Sequence, residues 1–193
     1  MSEISILNQV EQEIKSRNIS DDEISQILSS MPQFTNRRII SGYASVNVTD
    51  REGQRIPIKT LKDTLPQFMG DLHYRNITVF HSDVVIGRVL PKWTHPETSK
   101  IWETKVDDKG LFIVAEIRDD IEIADKVWGE IEKGNLRSFS IAGSSKKKTQ
   151  SFDMGRPVED VLAMEQYEIA ICEVPVNQLS KFDMLWNPNK VRI

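Results

Sequence analysis

The sequence predicts an α+β fold whose body is made of antiparallel strands crossed by one clear amphipathic helix, and three features carry that expectation. Short runs rich in β-branched and aromatic residues recur from Ile39 onward. The segment Ile101 to Val106, the turn DDKG and the run LFIVAEI together read as a hairpin. Between the strand runs, Ile121, Ala124, Val127, Trp128 and Ile131 recur at the spacing of one helix face.

Taken in order, Ile4, Leu7, Val10 and Ile14 place a helix over Glu3 to Arg17. Ser20 followed by Glu23 is a capping-box signature for a second helix that runs to about Met31 and stops at Pro32. Residues 1–36 are therefore expected to form a helical N-terminal appendage. The run IISGYASVNV reads as the first strand of a body spanning residues 37–186, followed by Ile77 to Phe80 and Val84 to Leu90. The helix predicted over Asp119 to Lys133 begins with acids and ends at Gly134. Leu136 to Ala142 is a strand, and Gly143 to Val158, polar and carrying Lys146, Lys147 and Lys148, is expected to be a mobile loop. EQYEIAICEVPV is a late strand closed by Pro175, a short helix is expected over Gln178 to Leu185, and residues 187–193 form a tail.

Composition bounds the chemistry. At 193 residues and 39% hydrophobic content, the chain can bury one sizeable core plus a modest appendage. A net charge of −4 gives no overall drive toward nucleic acid or an acidic membrane, so no direct binding to either is expected. One cysteine, Cys172, leaves no internal disulfide to form, and nothing calls for an oxidising compartment. The charged N-terminal sequence lacks the apolar core of a signal peptide, and no segment has the length of a membrane span. One cysteine and three scattered histidines give neither CxxC nor HExxH, so no metal or cofactor is expected.

The segment LRSFSIAG puts Ser138 and Ser140 on one strand face, opposite Phe139 and Ile141. A serine hydroxyl becomes a competent nucleophile when an imidazole takes its proton and a third group orients the ring. Of His73, His81 and His95, only His81 directly follows an apolar strand run; the others lie in polar surroundings. Periodicity does not choose between Ser138 and Ser140. Cys172 as a rival nucleophile sits in an apolar strand, where thiols are ordinarily inert. Trp93 and Trp102, flanking THPETSK, are packing residues or line a substrate groove.

Four motifs in order, HSDVVIGRVL, the DDKGLFIVAEI hairpin, EKGNLRSFSIAG and YEIAICEVPVN, resemble the prohead serine proteases of tailed viruses, a family related in fold to the herpesvirus assemblins. The likeness spans about Ile39 to Asn177. It implies an assemblin-like fold, a small antiparallel β-barrel surrounded by helices, and a serine endopeptidase that matures the viral head through an acyl-enzyme. Carried over residue by residue, the nucleophile is Ser140 and the base His81. Ser138 then falls where the family often has a small residue. The herpesvirus enzymes use a second histidine after the serine, and none follows His95 here. Phage members use an acid on the last core strand, which Glu168 fits better than Glu165 or Glu173.

Two positions depart from the family pattern: Ala142 intervenes before Gly143, and Ser82 follows His81. Both bear on the oxyanion hole, for which the Gly143 to Ser145 stretch is the candidate by position. The implied partners are capsid and scaffolding proteins as substrates, the chain's own termini among them, with homo-oligomerisation left open. The implied place of action is the assembling procapsid in the host cytoplasm. The rival reading is an inactive barrel that serves as a structural part of the shell; an esterase of another fold would be expected to carry GxSxG, which is missing.

Overall fold

A computed structural model describes residues 37–188, all within the compact unit Thr35–Ile193. The two expected N-terminal helices and residues 189–193 of the tail lie outside the described residues. The chain order is β1 (Arg38–Val46), β2 (Gln54–Arg55), α1 (Ile58–Gly70), β3 (Asn76–Val79), β4 (Val85–Leu90), β5 (Lys92–Thr94), β6 (Ile101–Glu103), β7 (Lys105–Val106), β8 (Gly110–Ile117), α2 (Glu122–Lys133), β9 (Ser138–Asp153), β10 (Arg156–Cys172) and β11 (Phe182–Trp186). The α+β expectation holds, and strands dominate.

The main sheet runs β11-β1-β8-β4-β3-β10-β2, with β9 paired to β10 and β7 to β8, while β5 and β6 form a separate hairpin. This path is open, and the barrel implied by the family likeness is not closed by paired strands. Between β9 and β11 there is an isolated bridge, Ser138 to Lys181, flanked by Phe139 N–H to Ser180 O at 3.1 Å and Phe182 N–H to Arg137 O at 3.0 Å. Most pairings are antiparallel, as the hairpin patterns predict. The exceptions are β3 and β2, which run parallel to β10.

β1 is buried along most of its length on both faces because both are covered. Ile40 and Ala44 join the main core with Ile77, Ile113, Phe139, Ile169 and Trp128, whereas Ile39 joins a second cluster with Trp93, Val114 and Trp186. Phe68 and Trp128 are among the largest fully buried side chains, each contributing roughly 2–3 kcal/mol of burial. Trp93 is buried against Trp186, and Trp102 stacks on Phe112 with Lys100 over its ring, so both tryptophans pack rather than line a groove.

Helix α2 buries Ala124, Val127, Trp128 and Ile131, as their spacing predicts, and Gly134 ends it in the left-handed region at φ 79°. Helix α1 escapes the sequence reading because Pro66 sits inside it, a residue that removes a backbone donor and ordinarily breaks the pattern. Tertiary contacts offset that loss. Leu61 and Phe68 are buried, and Thr60 and Thr64 donate hydroxyl hydrogen bonds to the carbonyls of Val161 and Met164 on β10, at 2.9 and 3.3 Å.

Two expectations are overturned. Gly143 to Val158 is not a loop but most of a long hairpin, β9 with β10, whose turn has positive φ at Met154 (47°) and Gly155 (78°). That is the signature of the type I′ turn that suits strand twist. The polar run is polar because this part of the hairpin faces solvent, and Lys146 and Lys148 pair across it with Glu165 and Glu159. Gln178 to Leu185 is likewise not a helix: its second half enters β11, where alternation of buried Ser180 and Phe182 with exposed Lys181 and Asp183 follows the strand period.

Candidate active site

Strand β10 lies between β9 and β3 and so gathers the candidates. In its register Ala170 faces Ser140 of β9 on one side and Thr78 of β3 on the other. Glu168, two residues earlier on the same face, lies beside Ala142 and Asn76. Small side chains along this row, Ala170 and Thr78, leave room for an imidazole to lie across the sheet.

His81 reaches that face through the turn after β3. Phe80 and His81 have φ of 51° and 56°, and Ser82 N–H donates to Val79 O at 3.0 Å, so the two form the centre of a type I′ turn. Such turns ordinarily use Asn and Gly; a Phe–His pair there costs about 1–2 kcal/mol per residue. The turn folds the chain back, and His81 Nδ1 comes 2.7 Å from Glu168 Oε1. An ionised carboxylate only accepts, so Nδ1 carries the proton and Nε2 is left as the acceptor. A register shift between Gln166 and Glu168 makes Tyr167 an extra residue on β10, a bulge of the kind that re-aims a neighbouring side chain.

Ser140 is 9% exposed and its hydroxyl makes no hydrogen bond among the described residues. The contact between His81 and Glu168 is thus formed, and one between His81 and Ser140 is not: His81 follows β3 and Ser140 lies on β9, the strands on either side of β10. Ser138 is fully buried, donating to Glu173 O at 3.3 Å and accepting from Lys181 Nζ at 2.8 Å.

The other candidates are engaged elsewhere. Glu165 accepts from Tyr74 Oη and pairs with Lys146, whose ammonium holds its carboxyl below the usual range. Glu173 contributes its backbone carbonyl to Ser138. His73 pairs with Asp71 at the surface, and His95 packs between Trp93 and Trp186 with Nδ1 accepting the N–H groups of Glu97 and Thr98. Burial pushes the Cys172 thiol up, against the opposing pull of Lys181. Gly143 to Ser145, the positional oxyanion candidate, belongs to β9 and pairs with Gln166, Glu165 and Met164. Among the described residues no cluster of three or more His, Cys, Asp or Glu gathers in a metal-binding arrangement, and no helix is long and apolar enough to cross a membrane.

Two residues escape a reading of local sequence. Thr78 enters the site's row only through the parallel pairing of β3 with β10, and its buried hydroxyl has no partner among the described residues. Lys181 lies far along the chain from Ser138, in a stretch whose sequence suggests a helix.

Comparison with known proteins gives one family match: the model for caudovirus prohead serine protease covers residues 27–188. No curated protein matches. Among solved structures, a similar one is the KSHV protease in complex with a hexapeptide phosphonate inhibitor, at 12% identity and a TM-score of 0.41 over 76% of this chain. The chain spans 64% of that protease's length.

Proposed function

Because the chain belongs to the caudovirus prohead serine protease family, we propose that it is a serine endopeptidase of viral head maturation, with Ser140 as nucleophile, His81 as base and Glu168 as the group that orients the ring. The observation that carries this reading is the 2.7 Å contact of His81 Nδ1 with Glu168 Oε1, which leaves Nε2 as proton acceptor on the strand neighbourhood that bears Ser140. In the reaction His81 Nε2 takes the Ser140 proton as Oγ attacks the scissile carbonyl, and Glu168 stabilises the imidazolium. Collapse returns that proton to the leaving amine and leaves an acyl-enzyme. Water, deprotonated by the same imidazole, then releases the acid product and restores the hydroxyl.

Past Phe139 the outer edge of β9 pairs with no named strand among the described residues. Alternate backbone N–H and C=O groups beside Ser140 are therefore open to an extended peptide, which would add as a strand. Substrates of this reading are the capsid and scaffolding proteins inside the assembling procapsid, with residues 1–36 as an assembly or docking appendage. The barrel stays part of the proposal, supported by the Ser138 to Lys181 bridge between β9 and β11.

Co-expression with the cognate capsid protein tests the reading. Shortened capsid chains are expected, and they disappear with Ser140→Ala and with His81→Ala. Heads that assemble with full-length chains in the presence of the wild-type protein would replace the enzyme by the inactive shell component.

A further inference from the structure

Lys181 is the feature of this face that the triad does not use. Its Nζ donates to Ser138 Oγ at 2.8 Å, and Ser138 donates onward to Glu173 O at 3.3 Å. The fully buried hydroxyl thus has both roles filled and serves as a fixed anchor for the ammonium. One of the three Nζ donors is used there. Lys181 is exposed, and no carboxylate lies within ion-pair distance of it among the described residues, whereas Arg55, Arg118, Lys146 and Lys148 each have an acidic partner.

Position gives this unpaired cation its meaning. Ser138 and Ser140 are two residues apart on one strand face, about 6.7 Å at the usual rise per residue. Lys181 Nζ, 2.8 Å from Ser138 Oγ, therefore lies within about 10 Å of the nucleophile, a gap that an acidic side chain on a residue bounding the scissile bond spans. The edge of β9 is closed over Arg137 to Phe139 by the hydrogen bonds to Ser180 and Phe182 and opens only beyond it. A peptide added along the open edge meets Lys181 with a residue at the scissile bond, not with a distant one. The β10 residues paired with Ser140 and Ser138 are Ala170 and Cys172, both buried and uncharged, so neither brings a competing charge to a pair formed there.

Resting on the protease reading above, we propose that Lys181 is a specificity-determining residue that selects an acidic side chain next to the scissile bond. The substrate carboxylate takes the free Nζ donors while Ser138 holds the ammonium in place. A charge-assisted hydrogen bond of this kind corresponds to a preference of about 10- to 100-fold in kcat/KM over a neutral residue.

The test is a peptide-library digest, read by mass spectrometry of the new termini, with the full chain as wild type, Lys181→Arg, Lys181→Met and Lys181→Glu. Each protein is also treated with a neutral fluorophosphonate that reports Ser140 directly. Wild type and Lys181→Arg are expected to enrich Asp or Glu at one of the two positions bounding the cut. Lys181→Met loses that enrichment, and Lys181→Glu replaces it with Lys or Arg. A wild type that is labelled yet shows no acidic preference, or a Lys181→Glu profile equal to that of wild type, overturns the proposal while leaving the protease reading intact. A wild type neither labelled nor active on any peptide overturns both.

Discussion

His81 Nδ1 sits 2.7 Å from Glu168 Oε1 across 87 residues of sequence, joined by a parallel pairing of β3 with β10 and by a turn with two positive-φ residues. A carboxylate in this position fixes the tautomer and stabilises the imidazolium that forms when the nucleophile is deprotonated. Glu168→Gln keeps the shape and removes the charge. It is expected to lower kcat by about 100- to 10,000-fold with little change in KM, measured by steady-state hydrolysis of a peptide substrate. A loss below about threefold would reduce Glu168 to a surface partner of His81.

The two serines separate by exposure and contact. Ser138 is fully buried with its hydroxyl bonded to Glu173 and Lys181, whereas the Ser140 hydroxyl is unbonded among the described residues. Ser140→Ala should abolish covalent labelling by a fluorophosphonate, and Ser138→Ala should retain it while losing about 1 kcal/mol of stability from its hydrogen bonds. Mass spectrometry of the labelled peptide checks the assignment: a label on Ser138 would reverse it.

How much of this was legible in the sequence follows the range of the interactions involved. Helix α2 and the β7–β8 turn depend on local spacing and turn residues; the helix appears where the periodicity puts it, whereas the expected strand Ile101 to Val106 is split, with only Lys105–Val106 pairing with β8 and Ile101–Glu103 pairing with β5 instead. The β9–β10 hairpin was hidden because its β9 arm beyond Ala142 is largely polar on both faces, so no apolar alternation marks it. Helix α1 was hidden by Pro66, whose cost is offset by packing against β10 that local sequence does not encode. For the site, family likeness pointed to Ser140, His81 and Glu168, and the coordinates bring two of them into contact. Periodicity alone left Ser138 equal to Ser140, because what separates them is Lys181, a residue placed by a long-range bridge.

The turn that carries His81 should be strained. Phe80 has φ 51° and is 61% exposed, so its ring contributes little burial to offset the left-handed backbone. Asn tolerates that region far better, and β-branched residues tolerate it worse. Phe80→Asn is expected to raise the unfolding free energy by about 0.5–1 kcal/mol and Phe80→Ile to lower it by at least as much, read from urea midpoints at constant m. Destabilisation by Asn would show that Phe80 has packing contacts outweighing the strain.

Close approach of β9 to β10 depends on Gly143. A Cβ there would lie 2.4 Å from Glu165 O, a backbone atom that cannot swing aside. Gly143→Ala is therefore expected to cost about 1–3 kcal/mol, as overpacking does elsewhere, and to move the strand three residues past Ser140. Denaturant unfolding reads the first effect and the rate of fluorophosphonate labelling the second. An unchanged midpoint would mean that the strands separate there at no cost.

At the far end of β10, Asp160 gives stability a pH dependence with a definite sign. Its carboxylate accepts from Arg55 Nε at 2.7 Å and from Nη2 at 3.0 Å, and that guanidinium holds the carboxyl below its ordinary range. A group whose folded pKa is depressed stabilises the fold above its unfolded pKa and loses that contribution as pH falls through the folded value. The pair should therefore contribute fully at neutral pH and fade as acid titrates the carboxylate. Asp160→Asn is expected to cost about 2 kcal/mol at neutral pH, with the gap to wild type narrowing below about pH 4. Every other titrating group is common to the two proteins, so their difference in urea unfolding between about pH 7 and about pH 3 isolates this carboxylate. A gap that stays constant across that range would mean that its charge does not contribute to stability.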